Sequence, residues 1–216
     1  YIISLSIMIL GPIILAFVIT RRLKTQWRFI FLGIFTFLAS QVARTILSVA
    51  VNIVFSTLKS PFINSTAFYV LLAFTGGLLA GVCEELSRYW GYWLLKERDV
   101  PWQAAVAMGV GHGGIEAIIL GVGLTLPSFY NYLVITTPNV AEIAENAAQA
   151  EVFKAQAFLA AQIPWHEPLA VGFERILAVL MHIGFSLLIW KAITSAKKRW
   201  LWVAIAAHVF IDFCAG

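Results

Sequence analysis

Residues 1–20 carry no charged side chain, and comparable apolar runs recur at 29–55, 67–95, 103–126, 168–193 and 200–216. About 20 apolar residues are what a helix needs to cross the ~30 Å hydrocarbon core of a bilayer. Hydrophobic residues make up 61% of the chain and charged residues 12%, against roughly 45–50% and 25% in soluble domains. A soluble fold of 216 residues has no interior large enough for that apolar surface, so lipid is the solvent. Backbone in lipid must satisfy its own hydrogen bonds, which leaves helices or a closed barrel. The runs lack the two-residue alternation of a lipid-embedded strand, and a barrel is excluded. The expected fold is therefore all-α: a polytopic transmembrane bundle of at least six spanning segments, forming one integral membrane domain over 1–216. Position 1 is Tyr and the last run stops at Gly216, so a chain truncated at one or both ends is expected.

The net charge of +4 does not point to nucleic acid, because the basic residues gather at the ends of apolar runs. Arg21, Arg22, Lys24 and Arg28 follow the first run, Lys96 and Arg98 lie between the third and fourth, and Lys197, Lys198 and Arg199 precede the last. Positive charge on alternate turns predicts those turns in the cytoplasm and the N-terminus outside, in a bacterial plasma membrane. The connection 127–167 is then external, with an Ala- and Glu-rich helix over 141–161 at the membrane surface. Cys83 and Cys214 both lie in apolar runs and suggest neither a disulfide framework nor a thiolate metal site. The eight tryptophans fall mostly near run ends, as an aromatic belt requires.

Ionisable groups inside the spans are the informative remainder, since each costs about 2.5–3.5 kcal/mol at the bilayer centre. Glu84 and Glu85 sit about eleven residues from the cytoplasmic end of their run; His112, His182 and His208 sit about nine or ten from theirs. At ~1.5 Å per residue these five side chains occupy one layer, roughly 13–18 Å from the cytoplasmic boundary. Spacing agrees with depth. His112 and Glu116, His208 and Asp212, and Glu84 and Arg88 are each four apart, so each pair shares a helix face. Glu116 and Asp212 stand where a carboxylate orients a histidine, and Arg88 where it neutralises or orients an acid. Glu174 lies two turns outward of His182 on a similar face.

Three histidines with a nearby carboxylate suit Zn²⁺, which takes three protein ligands and a water in catalytic sites. The expectation is a metal held by His112, His182 and His208. Glu84 or Glu85 would act as general base, with Glu116, Asp212 and Glu174 in support. Glycines at 76, 77, 81, 109, 111, 113 and 114 let helices approach closely around this layer. Arg44 and Arg175 are read as structural, and His166 as a loop residue.

The motifs Glu84-Glu85-Leu86-Ser87-Arg88, Gly111-His112-Gly113-Gly114-Ile115-Glu116, Glu174-Arg175 before His182, and His208-Val209-Phe210-Ile211-Asp212 resemble the YhfC family of intramembrane metalloproteases. That family is grouped with the CAAX prenyl proteases and bacteriocin-processing enzymes, and distantly with the Aph subunit of γ-secretase. The resemblance covers residues 76–216. It implies that Glu84 or Glu85 activates water while His112, His182 and His208 build the metal or water site. CAAX proteases usually carry Asn four residues after the last histidine; here Asp212 stands there.

The function expected is hydrolysis of a peptide bond in or near the membrane. The partners expected are lipid, a membrane-embedded or membrane-adjacent peptide, and a membrane protein complex, with no nucleic acid. The rival readings are a silent scaffold subunit, a haem- or chlorophyll-binding protein, and a proton-translocating protein. Pigment ligation leaves the glutamate pair without a role, and the chain lacks the repeat symmetry common in secondary transporters.

Overall fold

The computed structural model describes residues 1–57, 65–95, 100–136 and 146–215. The helices are α1 (Ile2–Arg22), α2 (Trp27–Thr57), α3 (Thr66–Leu94), α4 (Trp102–Leu120), α5 (Leu126–Ile135), α6 (Ala147–Gln162), α7 (His166–Thr194) and α8 (Arg199–Ala215). No strand occurs among the described residues. Five stretches are long and apolar enough to cross a membrane: Ile2–Arg22, Trp27–Thr57, Thr66–Leu94, Trp102–Ile135 and His166–Thr194. The expected sixth segment is α8, whose 17 residues extend about 25 Å.

The fourth segment runs further than the sequence suggested. Pro127 reads as the start of the external connection, yet the helix continues to Ile135 through a π turn at Gly121–Thr125. Leu126 N–H reaches back to the Gly121 carbonyl across that turn, and Pro127 then falls in the first turn of α5. A proline there lacks an N–H that the helix start does not use. The helix expected over 141–161 is observed as α6, opened by the Asn146 side chain accepting from Gln149 N–H at 2.9 Å; residues 141–145 lie outside the described set. The basic turn at 96–99 lies outside it too.

Residues divide into two compact units: 1–14 with 116–178, and 15–115 with 179–216. In the first, the Ser4 hydroxyl donates to the Pro168 carbonyl, and Thr125 Oγ1 lies 3.4 Å from Met8 Sδ. A methyl at Gly172 would stand 2.8 Å from Ser4 Cα, so α1 and α7 touch there backbone to backbone.

In the second unit α4 is the centre, buried on every face from Ala104 to Gly114. Small residues make this possible. A methyl at Gly111 would stand 2.1 Å from the Ile30 carbonyl oxygen on α2, and one at Gly109 2.5 Å from Ile183 Cα on α7. On α3, Gly77 and Gly81 meet the Val209 backbone of α8 in the same manner. Close backbone approach of this kind drives helix association in lipid, where water supplies no hydrophobic force between helices. Gly111→Ala is accordingly expected to lower stability by about 3 kcal/mol, the upper end of ordinary overpacking, since a rigid carbonyl leaves nothing to give way. Denaturant unfolding in detergent measures this; a loss below about 1 kcal/mol would show that α2 and α4 are looser than described.

Candidate functional site

Helix periodicity places six ionisable side chains of the second unit in one buried cluster. Glu84, Glu85 and Arg88 come from α3, His112 from α4, His182 from α7 and His208 from α8. All are less than 5% exposed, and Glu85, Arg88 and His112 are fully buried. The rings stand close together: the His112 and His182 centroids are 5.0 Å apart, and those of His182 and His208 5.6 Å. Phe185 stacks on His208 at 4.7 Å and Phe37 meets His112 edge-on at 5.2 Å, walling the cluster with apolar surface.

The two adjacent glutamates have different partners. Glu85 Oε1 accepts from the Arg88 guanidinium and from His208 Nδ1 at 2.8 Å. Its other oxygen is buried with no hydrogen-bond partner among the described residues. Glu84 Oε2 faces His112 Nε2 at 3.1 Å and His208 Nε2 at 3.8 Å, and Glu84 Oε1 accepts from Gln41 Nε2 at 3.3 Å. Neighbours on a helix point about 100° apart, and here that angle separates an ion-paired carboxylate from one turned to the histidines.

Donor and acceptor rules fix where lone pairs point. Arginine only donates, so His182 Nδ1, 3.0 Å from Arg88 Nη2, accepts and carries a lone pair. The Glu85 carboxylate accepts from His208 Nδ1, and Nε2 of the same ring lies 3.8 Å from Glu84 Oε2. Thr36 Oγ1 lies 2.9 Å from the Gly33 carbonyl oxygen and 3.1 Å from His112 Nδ1. The Glu84 carboxylate accepts from His112 Nε2 at 3.1 Å.

Glu84, His112 and His182 each bring one candidate ligand atom within 4.8 Å of the other two. One carboxylate oxygen with two imidazoles is a donor set of catalytic zinc sites. The chemistry of this donor set fits the ion, whose binding would displace the proton shared by His112 Nε2 and Glu84 Oε2. Arg88 and an ion would compete for the same His182 lone pair.

The remaining predicted residues are placed as follows. Asp212 Oδ2 lies 3.7 Å from His208 Nε2. Glu116 accepts from Arg175 at 3.0 Å, and Glu174 chelates the same guanidinium, both within the first unit. His166 opens α7 with its ring against Trp165. Three contributors on α2 escaped the sequence reading: Thr36, Ser40 and Gln41. The available signal was a short polar stripe inside an otherwise apolar span.

These features define an integral membrane protein with a buried glutamate–histidine centre inside its helices. The chain belongs to the YhfC intramembrane metalloprotease family, whose model matches residues 7–216. It is 31% identical over 140 residues to a curated Bacillus subtilis (strain 168) protein named "Uncharacterized membrane protein YhfC"; the match takes in 63% of this chain. The chain spans about half of that relative, 53% of its length. No solved structure matches it.

Proposed function

We propose that this chain is an intramembrane zinc endopeptidase hydrolysing a peptide bond in or beside a membrane segment. The observation that carries this reading is the convergence of the Glu84, His112 and His182 donor atoms within 4.8 Å, beside the Glu85–His208 pair. Glu84, His112 and His182 would hold the ion, which when bound polarises a carbonyl and lowers the pKa of water to about 7. His208 Nε2 accepts the proton released by the attacking water. Glu85 holds the His208 ring by its Nδ1 proton, as a carboxylate orients a base histidine. Arg88 donates to Glu85 and holds it in place. The apolar walls of Phe37 and Phe185 exclude bulk water, which strengthens each of these interactions. In this reading the protein sits in a bacterial plasma membrane, and the positive charge of the turns carrying Arg21, Arg22, Lys24 and Lys197–Arg199 favours those turns on the cytoplasmic side.

Elemental mass spectrometry of the detergent-purified protein tests the reading. About one zinc per chain is expected, lost in His112→Ala and His182→Ala and kept in His208→Ala. Zinc absent from the wild-type protein purified without chelators, or retained by all three variants, would overturn it.

A further inference from the structure

We infer that α3 and α7 enclose a single water, held by Arg88 Nε and Ser186 Oγ about one helical turn from the His182 ring. The inference rests on the hydrolytic reading for its use in catalysis, and on the geometry of these two helices alone for its existence.

The two helices run in the same direction here. Arg88 Nη2 lies 3.0 Å from His182 Nδ1, and one turn further along each helix Tyr92 donates to the Ser186 carbonyl at 3.4 Å. All four residues are buried, and Arg88 and Ser186 have no exposure at all. Three polar atoms beside this contact have no hydrogen-bond partner among the described residues: Arg88 Nε, Ser186 Oγ and Glu85 Oε2. Buried groups in that state are few in native proteins, and leaving one unmade costs more than an ordinary hydrogen bond contributes.

The arginine cannot turn to find a partner. Its guanidinium is planar, and with Nη1 on Glu85 and Nη2 on His182 the plane is set, so the direction of Nε–H is set with it. The serine departs from the habit of the other spans. Thr20 and Ser40 donate to carbonyls of their own helices, at 2.8 and 2.6 Å, which is the ordinary solution for a hydroxyl in an apolar helix. Ser186 makes no such bond.

These three atoms together match one water. Arg88 Nε only donates, a carboxylate oxygen accepts, and a hydroxyl does both. A water that accepts from Arg88 Nε–H keeps two protons, one for Glu85 Oε2 and one for Ser186 Oγ, and about three hydrogen bonds is what an internal water usually makes. A cation would be repelled by the guanidinium and an anion by the carboxylate. Phe37 and Phe185 wall the cluster against bulk solvent, so an enclosed water beside Glu85 is the nearest store of the molecule that each hydrolytic turnover consumes.

A crystal structure of the wild-type protein in a lipid phase, at a resolution that shows ordered water, tests this directly. One water peak is expected within about 3.2 Å of both Arg88 Nε and Ser186 Oγ. No peak there, a peak on one of the two atoms only, or a Ser186 hydroxyl bonded to the His182 carbonyl overturns the inference. Thermal unfolding in detergent is the second readout, because the two accounts of Ser186 differ in sign. With a water on the hydroxyl, Ser186→Ala lowers the midpoint by about 2–4 °C, the worth of one hydrogen bond in a chain of this length. Without one, the alanine removes a stranded polar group, and a midpoint that is unchanged or raised overturns the inference. Both measurements are made without zinc. A wild-type protein that binds no zinc therefore sinks the hydrolytic reading alone, and a missing water leaves that reading standing.

Discussion

His208→Asn is expected to lower cleavage of any membrane peptide the wild-type protein processes by about 10²- to 10⁴-fold, the usual worth of a positioned base, at unchanged metal content. Asparagine places an N–H near where His208 Nδ1 donates to Glu85 at 2.8 Å, and it has nothing equivalent to Nε2. The variant therefore removes the proton acceptor and keeps the bond that anchors α8 to α3. Measured kcat/KM and zinc stoichiometry on the same preparation decide between two roles. Loss of rate with metal retained identifies His208 as the base. Loss of both would make it a ligand, and full rate would place the base elsewhere.

Glu85→Ala is expected to cost about 3–5 kcal/mol of stability, because it strands a charge in the interior. Arg88 is fully buried, and its guanidinium is bonded to Glu85 and to His182. With the carboxylate gone, the histidine alone cannot neutralise it. Replacing both partners by apolar residues of similar size, Glu85→Leu with Arg88→Met, is expected to recover most of that loss, since no unpaired charge then remains. Denaturant unfolding in detergent reads both. A Glu85→Ala loss under about 1 kcal/mol would mean that water reaches Arg88. The contrast with Glu84 is the useful part: its partners are Gln41 and histidines, so its removal falls on the chemistry more than on the fold.

The spans were legible because a run of apolar residues as long as a bilayer is thick suits almost nothing but a helix crossing one. The end of the fourth span was not, since Pro127 reads as a stop, and only the π turn ahead of it turns that position into a helix start. Within the site, depth along each helix put Glu84, Glu85, His112, His182 and His208 in one layer, as rise per residue is nearly invariant. Azimuth was harder. The four-residue spacing of His112 and Glu116 gave no hint that Glu116 also accepts from Arg175, 59 residues away, since spacing within one helix carries no information about a neighbour. Thr36 and Gln41 were silent for a related reason: a hydroxyl or amide in a span is common, and nothing local distinguishes one that bonds its own helix from one that also touches His112 or Glu84.

The bond between Glu85 and His208 also sets a timetable for assembly. Its two ends are 123 residues apart in the chain. At roughly 5–20 residues per second of synthesis, α3 waits about 6–25 seconds for α8 to emerge. Arg88 is made three residues after Glu85 and neutralises it from the start, whereas Glu84 first gains an imidazole 28 residues later with His112. During that interval a half-built carboxylate centre must be kept from the acyl chains, so α3 is the span most dependent on being held beside the insertion machinery until its last neighbour arrives.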